Sequence, residues 1–234
     1  QHPTNRRQRQ MCIRDSLYLL LWFALQLMQV VALIWMVQVV QVPAGLAPWL
    51  LLPFQVAALL GLQLWSVLSN RQGRIHTLRL GAGLWIAACL LSMLIPTLPA
   101  EPGLLDLLPL VALIVLVGVG AATAYLIPWS LLPDAIDADP GKPAGMYTAW
   151  MVFGQKLIIG LTMSVFGSLL TLTGYISGSA GKCNGALAFI QQPATALLAI
   201  RFSMGLLPAV LVICGLLVMR GWPDRGAHLQ STAG

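Results

Sequence analysis

Residues 17–42 read LYLLLWFALQLMQVVALIWMVQVVQV, twenty-six consecutive positions without a charge. A helix that crosses a bilayer core ~30 Å thick needs about 20 predominantly apolar residues. This run therefore predicts a membrane-spanning helix. Pro43, Gly45 and Pro48 break it, and Trp49 suits a membrane interface. The same reading carried outward predicts five more spans, at about Trp49–Leu68, Leu80–Leu98, Leu107–Leu131, Met146–Leu172 and Ala199–Met219. The expected fold is all-α, a polytopic membrane bundle of about six transmembrane helices.

Composition agrees with lipid as the solvent. Of 234 residues, 58% are hydrophobic and only 9% are charged, whereas soluble domains are nearer a quarter charged. The formal charge of +6 owes much to Arg6, Arg7, Arg9 and Arg14. No basic cluster with polar or aromatic neighbours offers a nucleic-acid surface. Cys12, Cys89, Cys183 and Cys214 lack metal-ligand spacing and the three histidines are scattered, so neither a metal nor a cofactor is expected. Cys89 and Cys214 sit in apolar runs as small buried hydrophobes.

The opening sixteen residues, QHPTNRRQRQMCIRDS, change character abruptly at Leu17. Met11 could be read as a start and the arginines as a cytoplasmic anchor, but MCIRDS looks like the translation of a sequencing adapter. Residues 1–16 are therefore expected to be a non-native scar on a chain that begins mid-protein, with residues 17–222 as the membrane domain and 223–234 as a polar tail. Lys and Arg mark the cytoplasmic side. Arg71, Arg74, Arg79, Lys142, Arg220 and Arg225 fall on one side, and Lys182 and Arg201 on the other with acidic Glu101 and Asp106. Both ends are thus expected in the cytoplasm, in a bacterial inner (plasma) membrane.

Lys156 is the most informative single residue. Its position about eleven residues into the fifth span puts it about 16 Å deep, near the midplane. There it should face the bundle interior or a water-filled cavity. Lys156, Gly160, Ser164 and Ser168 recur every four residues as one small, polar face. No other expected span holds an acidic residue to pair with this lysine.

On the first span Trp22, Gln26 and Gln29 share a face. They offer amide hydrogen bonds and an aromatic platform to a solute, or bonds to a neighbouring helix. Tyr125 and Trp129, one turn apart on the fourth span, have the same two readings. Gly118 and Ala122 are expected to let helices approach closely. In AYLIPWSLLPDAIDAD, Pro128 and Pro133 are expected to interrupt the helix end, and Asp134, Asp137 and Asp139 then form an acidic group. These aspartates are either a solvated loop or a cytoplasmic gate pairing with Arg71 or Arg74. No buried carboxylate pair and no His or Cys beside a base is present, so an enzyme is not expected.

These residues also carry a resemblance. PWSLLPD from Pro128, then Gly145-Met146-Tyr147, then Lys156 nine residues after the tyrosine resemble the glycoside–pentoside–hexuronide:cation symporters of the major facilitator superfamily. Gly174-Tyr175, Asn184, Gln192-Pro193 and ALLAIRFSMGLLP (196–208) extend the likeness over about residues 17–223, matching the C-terminal half of a twelve-helix carrier. The resemblance implies transport of a sugar or related solute by alternating access, with sodium or a proton as the coupling ion. It places Lys156 at the central cavity near the cation site, and Tyr147 beside the gate. It puts the acidic cation ligands in the N-terminal half. The segment Lys142-Pro143-Ala144-Gly145 departs from the family pattern, which has a basic residue and a glutamate there. Members that carry lipids share much of the same pattern. A self-assembling six-helix channel or scaffold is the alternative outside the family.

Overall fold

The computed structural model describes residues 3–43, 45–99, 101–130, 132–133, 144–176 and 191–219. Among them all regular structure is helical: α1 Pro3–Ile34 with a π-helical turn at Trp35–Val39, α2 Leu51–Gln72, α3 Arg74–Ser92, α4 Leu104–Ser130, α5 Ala144–Leu172, α6 Ala194–Met204 and α7 Leu206–Met219. Six segments are long and apolar enough to cross a membrane: Asp15–Val39, Leu51–Gln72, Arg74–Ser92, Leu104–Leu126, Gly145–Leu172 and Ala194–Met219. Lipid offers the backbone no hydrogen bonds, so continuous helices are the solution such sequences reach.

The elements end where backbone chemistry changes. α1 widens into its π turn, where Val40 N bonds Trp35 O five residues back, and Gln41 takes a left-handed φ of 64°. The exit is tied down by Val42 N donating to Met36 O at 2.9 Å and Leu98 N donating to Val40 O at 2.8 Å. α5 ends in a left-handed glycine, Gly174 at φ 74°. Tyr175 N reaches back to Leu170 O at 3.0 Å there, the wide bond of a glycine C-cap. Beyond it, Gln192 clamps Ile176 from both sides, accepting from its N–H and donating to its carbonyl, each at 2.9 Å.

Several expected boundaries move. Residues 69–79, left outside the expected second and third spans, are almost entirely helical, because the single residue Gly73 at φ 88° makes the whole turn between α2 and α3. The fourth helix is not interrupted at position 128 but continues to Ser130. The last span starts at Ala194 rather than Ala199 and breaks at Gly205. Pro208 lacks the N–H that would bond the Met204 carbonyl, which accounts for the break. α1 begins at Pro3, ahead of the composition change at Leu17.

α4 packs most extensively on α2 and α3, while α1 packs on α7 and α5. Small residues set the α4 contacts. A Cβ on Gly118 would lie 2.7 Å from Phe54 O and 2.9 Å from Ala57 Cβ. One on Gly120 would lie 2.8 Å from the Trp85 backbone, and Gly61 faces Ala122 Cβ at 3.0 Å. Gly118 and Ala122 thus do the packing expected of them. Trp65 Nε1, donating to Val119 O at 2.7 Å, fastens α2 to α4.

Candidate functional site

Apolar packing leaves α1 and α4 antiparallel where their aromatic residues meet. Tyr18 and Trp22, one turn apart on α1, have ring centroids 5.8 Å apart. Trp22 meets Tyr125 edge-on at 5.6 Å, and Tyr18 meets Trp129 edge-on at 6.4 Å. Edge-to-face pairs at such distances are favourable beyond their buried area. Two turns further along α1, Gln29 Nε2 donates to Tyr125 Oη at 3.1 Å. Gln29 lies two residues from the centre of the segment Asp15–Val39, so this polar contact is close to the middle of that apolar span.

Four of the six cavity residues expected from sequence, Trp22, Gln29, Tyr125 and Trp129, therefore belong to one group. Gln26 is half-buried on the same helix and makes none of these contacts. Lys156 stands apart, exposed on α5. It is twelve residues from the start of the helix and sixteen from its end. Gly160, Ser164 and Ser168 are exposed with it, and Gly160 has nothing within 4 Å of its Cβ position. The predicted small polar face is thus turned away from the other described helices.

The gate residues divide. Asp134, Asp137 and Asp139 lie outside the described residues, and so does any pairing of them with Arg71 or Arg74. Arg71 and Arg74 flank Gly73 at the exposed α2–α3 turn. Tyr147 packs partly buried against the core from the second turn of α5.

Beside Gln29 opens a cavity of about 340 Å³ between α1, α2 and α4. Its wall is apolar, with Leu25, Met28, Phe54 and Val117 typical of it, and Gln29 and Gln55 are its polar members. Sequence reasoning missed Tyr18 and Gln55. Tyr18 had a signal, since it lies one turn before Trp22. Gln55 had one too, an amide in an otherwise apolar span. Also missed was a buried sulfur contact. Trp85 Nε1 donates to Met28 Sδ at 3.0 Å, and the Cys89 thiol reaches the same sulfur at 3.7 Å. Cys89 is buried, as expected of a small hydrophobe. Among the described residues no cluster of His, Cys, Asp or Glu has the arrangement to hold a metal ion.

Residues 6–223 match the family model described as MFS/sugar transport protein. An uncharacterized symporter of Synechocystis sp. is 31% identical over 218 residues, which is 91% of this chain and 38% of that relative. The sodium-dependent lysophosphatidylcholine symporter 1-B of Danio rerio is 30% identical over 113 residues, 45% of this chain and 20% of the relative. Sodium-dependent lysophosphatidylcholine symporter 1 of Homo sapiens is 24% identical over 180 residues, 74% of this chain and 30% of the relative. The chain thus spans well under half the length of each of these proteins.

Proposed function

This chain belongs to the MFS/sugar transport protein family, and we propose from that premise that it is the C-terminal six-helix half of a cation-coupled symporter. Its solute is a sugar or glycoside, moved by alternating access, with sodium or a proton as the coupling ion. The observation that carries this reading is the Gln29–Tyr125 hydrogen bond, edged by Trp22 near mid-membrane beside an open cavity. An amide both donates and accepts, which suits a ring of hydroxyls, and Gln29 and Gln55 bring two amides to the cavity wall.

In carriers built from repeated halves, substrate and ion sites lie near the midplane at the interface between repeats. The exposed face of α5 is where Lys156 would meet a facing half. Lys156 balances an acidic residue or the ion's ligands there, because an unpaired charge at such depth is costly. The proposed orientation keeps the Arg71–Arg74 turn and both termini in the cytoplasm of a bacterium, in its inner membrane.

A second reading, a lipid-type solute, is supported by the relatives named as lysophosphatidylcholine symporters and by the apolar cavity wall. A free-standing channel or scaffold has no comparable support.

The test is uptake by the complete transporter in liposomes. A labelled methyl glycoside should accumulate when a sodium or proton gradient is imposed, and Lys156→Ala should abolish that coupling while membrane insertion is unchanged. Lys156→Arg should rescue poorly, since a planar guanidinium bonds differently from an ammonium. Unchanged cation dependence in Lys156→Ala would remove the lysine from the mechanism.

A further inference from the structure

The cavity beside Gln29 is a poor match for a bare sugar. A pyranose has hydroxyls around its whole rim, and each one placed against an apolar wall loses its water without a replacement partner. The wall supplies two amides, Gln29 and Gln55, and no charged side chain. The remainder is aliphatic, aromatic or thioether surface from Met28, Trp35, Met36 and Phe54 and their neighbours. A volume of about 340 Å³ is within the range of small-molecule sites.

We infer that this cavity seats the alkyl chain of an alkyl glycoside, whose sugar head is held at Gln29 and Gln55. The solute class is then a neutral, single-chain amphiphile. A charged head would need a paired charge in such surroundings, and the wall holds none. Amides answer hydroxyls with donors and acceptors together. Ala32 and Met36 are both in the wall, so a larger or smaller side chain at either changes the room left for the alkyl chain. The inference rests on the transport reading above and narrows its solute.

The test uses this chain in nanodiscs, with alkyl β-glucosides from methyl to decyl carrying bromine on the terminal carbon. Saturable quenching of tryptophan fluorescence reports binding, because Trp35 is in the wall. Affinity should rise about fourfold per added methylene, up to an optimum where the cavity is full. Ala32→Leu should move that optimum to shorter chains and Met36→Ala to longer ones. Opposite shifts of this kind cannot arise from misfolding.

Binding indifferent to chain length, or an optimum fixed in both variants, would overturn the inference. So would quenching by brominated bilayer phospholipid that the glucosides fail to relieve, since the seat would then belong to membrane lipid. Tighter binding of lysophosphatidylcholine than of a glucoside with an equal chain would overturn the neutral head. Cation-driven uptake of methyl glucoside, with no chain-length dependence of binding, would overturn this inference and leave the transport reading standing. Chain-length-dependent binding, with no uptake of any glycoside by the complete transporter, would support the seat and overturn the transport reading.

Discussion

Gln29 shows how little a single polar residue in lipid reveals about its own role. Its spacing from Trp22 placed the two on one face, yet the sequence left open whether the amide bonds a helix or a solute. The structure joins Gln29 to Tyr125 across two helices at 3.1 Å, at the edge of a cavity. The hydrogen bond is the helix-to-helix contact, and contact with a solute is what we propose for the same amide. Hydrogen bonds between membrane helices average ~0.6 kcal/mol, so the pair stabilises the bundle only slightly. A double-mutant cycle of Gln29→Leu and Tyr125→Phe, read by thermal unfolding in detergent, should give a coupling below about 1 kcal/mol. The same substitutions should lower glycoside binding by tenfold or more. A large stability coupling with unaltered binding would make the pair purely structural. Lys156 is the contrary case. Its place near the middle of α5 was legible from position alone, and its exposure there was not.

Helices reveal themselves through length and composition, but their ends depend on single residues. Six apolar segments were predicted, and six are present among the described residues. The eleven residues between the expected second and third spans are crowded with arginines and polar groups. One glycine at φ 88° suffices for the α2–α3 turn, and the flanking residues stay helical at the bilayer edge. Small residues act at the same scale. Gly118 is pressed against backbone and side chain of α2, with Phe54 O 2.7 Å from where its Cβ would lie. Gly118→Val should force α2 and α4 apart and cost about 1–3 kcal/mol. Gly83, with nothing within 4 Å of its Cβ position, should accept Ala with little loss. Melting temperatures of the two variants in one detergent check the contrast. Equal stability would mean that the α2–α4 contact is more pliable than its geometry indicates.

For the molecule as a whole, the arrangement matters more than any one helix. Alternating access needs one half to rock against another, and α5 presents its small polar face outward. This chain alone in liposomes should therefore show no gradient-driven accumulation of glycoside, while the complete transporter should. Accumulation by the isolated chain would identify it as self-sufficient. What the sequence determined by itself was the solvent, the number of crossings and the residues too polar for lipid without a reason. Burial of apolar segments in a bilayer depends on length and composition, and both can be read along the chain. What only the tertiary structure decided was which faces meet. Lipid tails and neighbouring helices are equally apolar, so hydropathy carries no information about which side of a helix turns inward. That choice rests on close packing, with Gly61, Gly118 and Gly120 fitted against particular partners. It set α4 on α2 and α3, and it brought Trp22, Gln29 and Tyr125 together. The apolar cavity between α1, α2 and α4 exists because shape complementarity stops there.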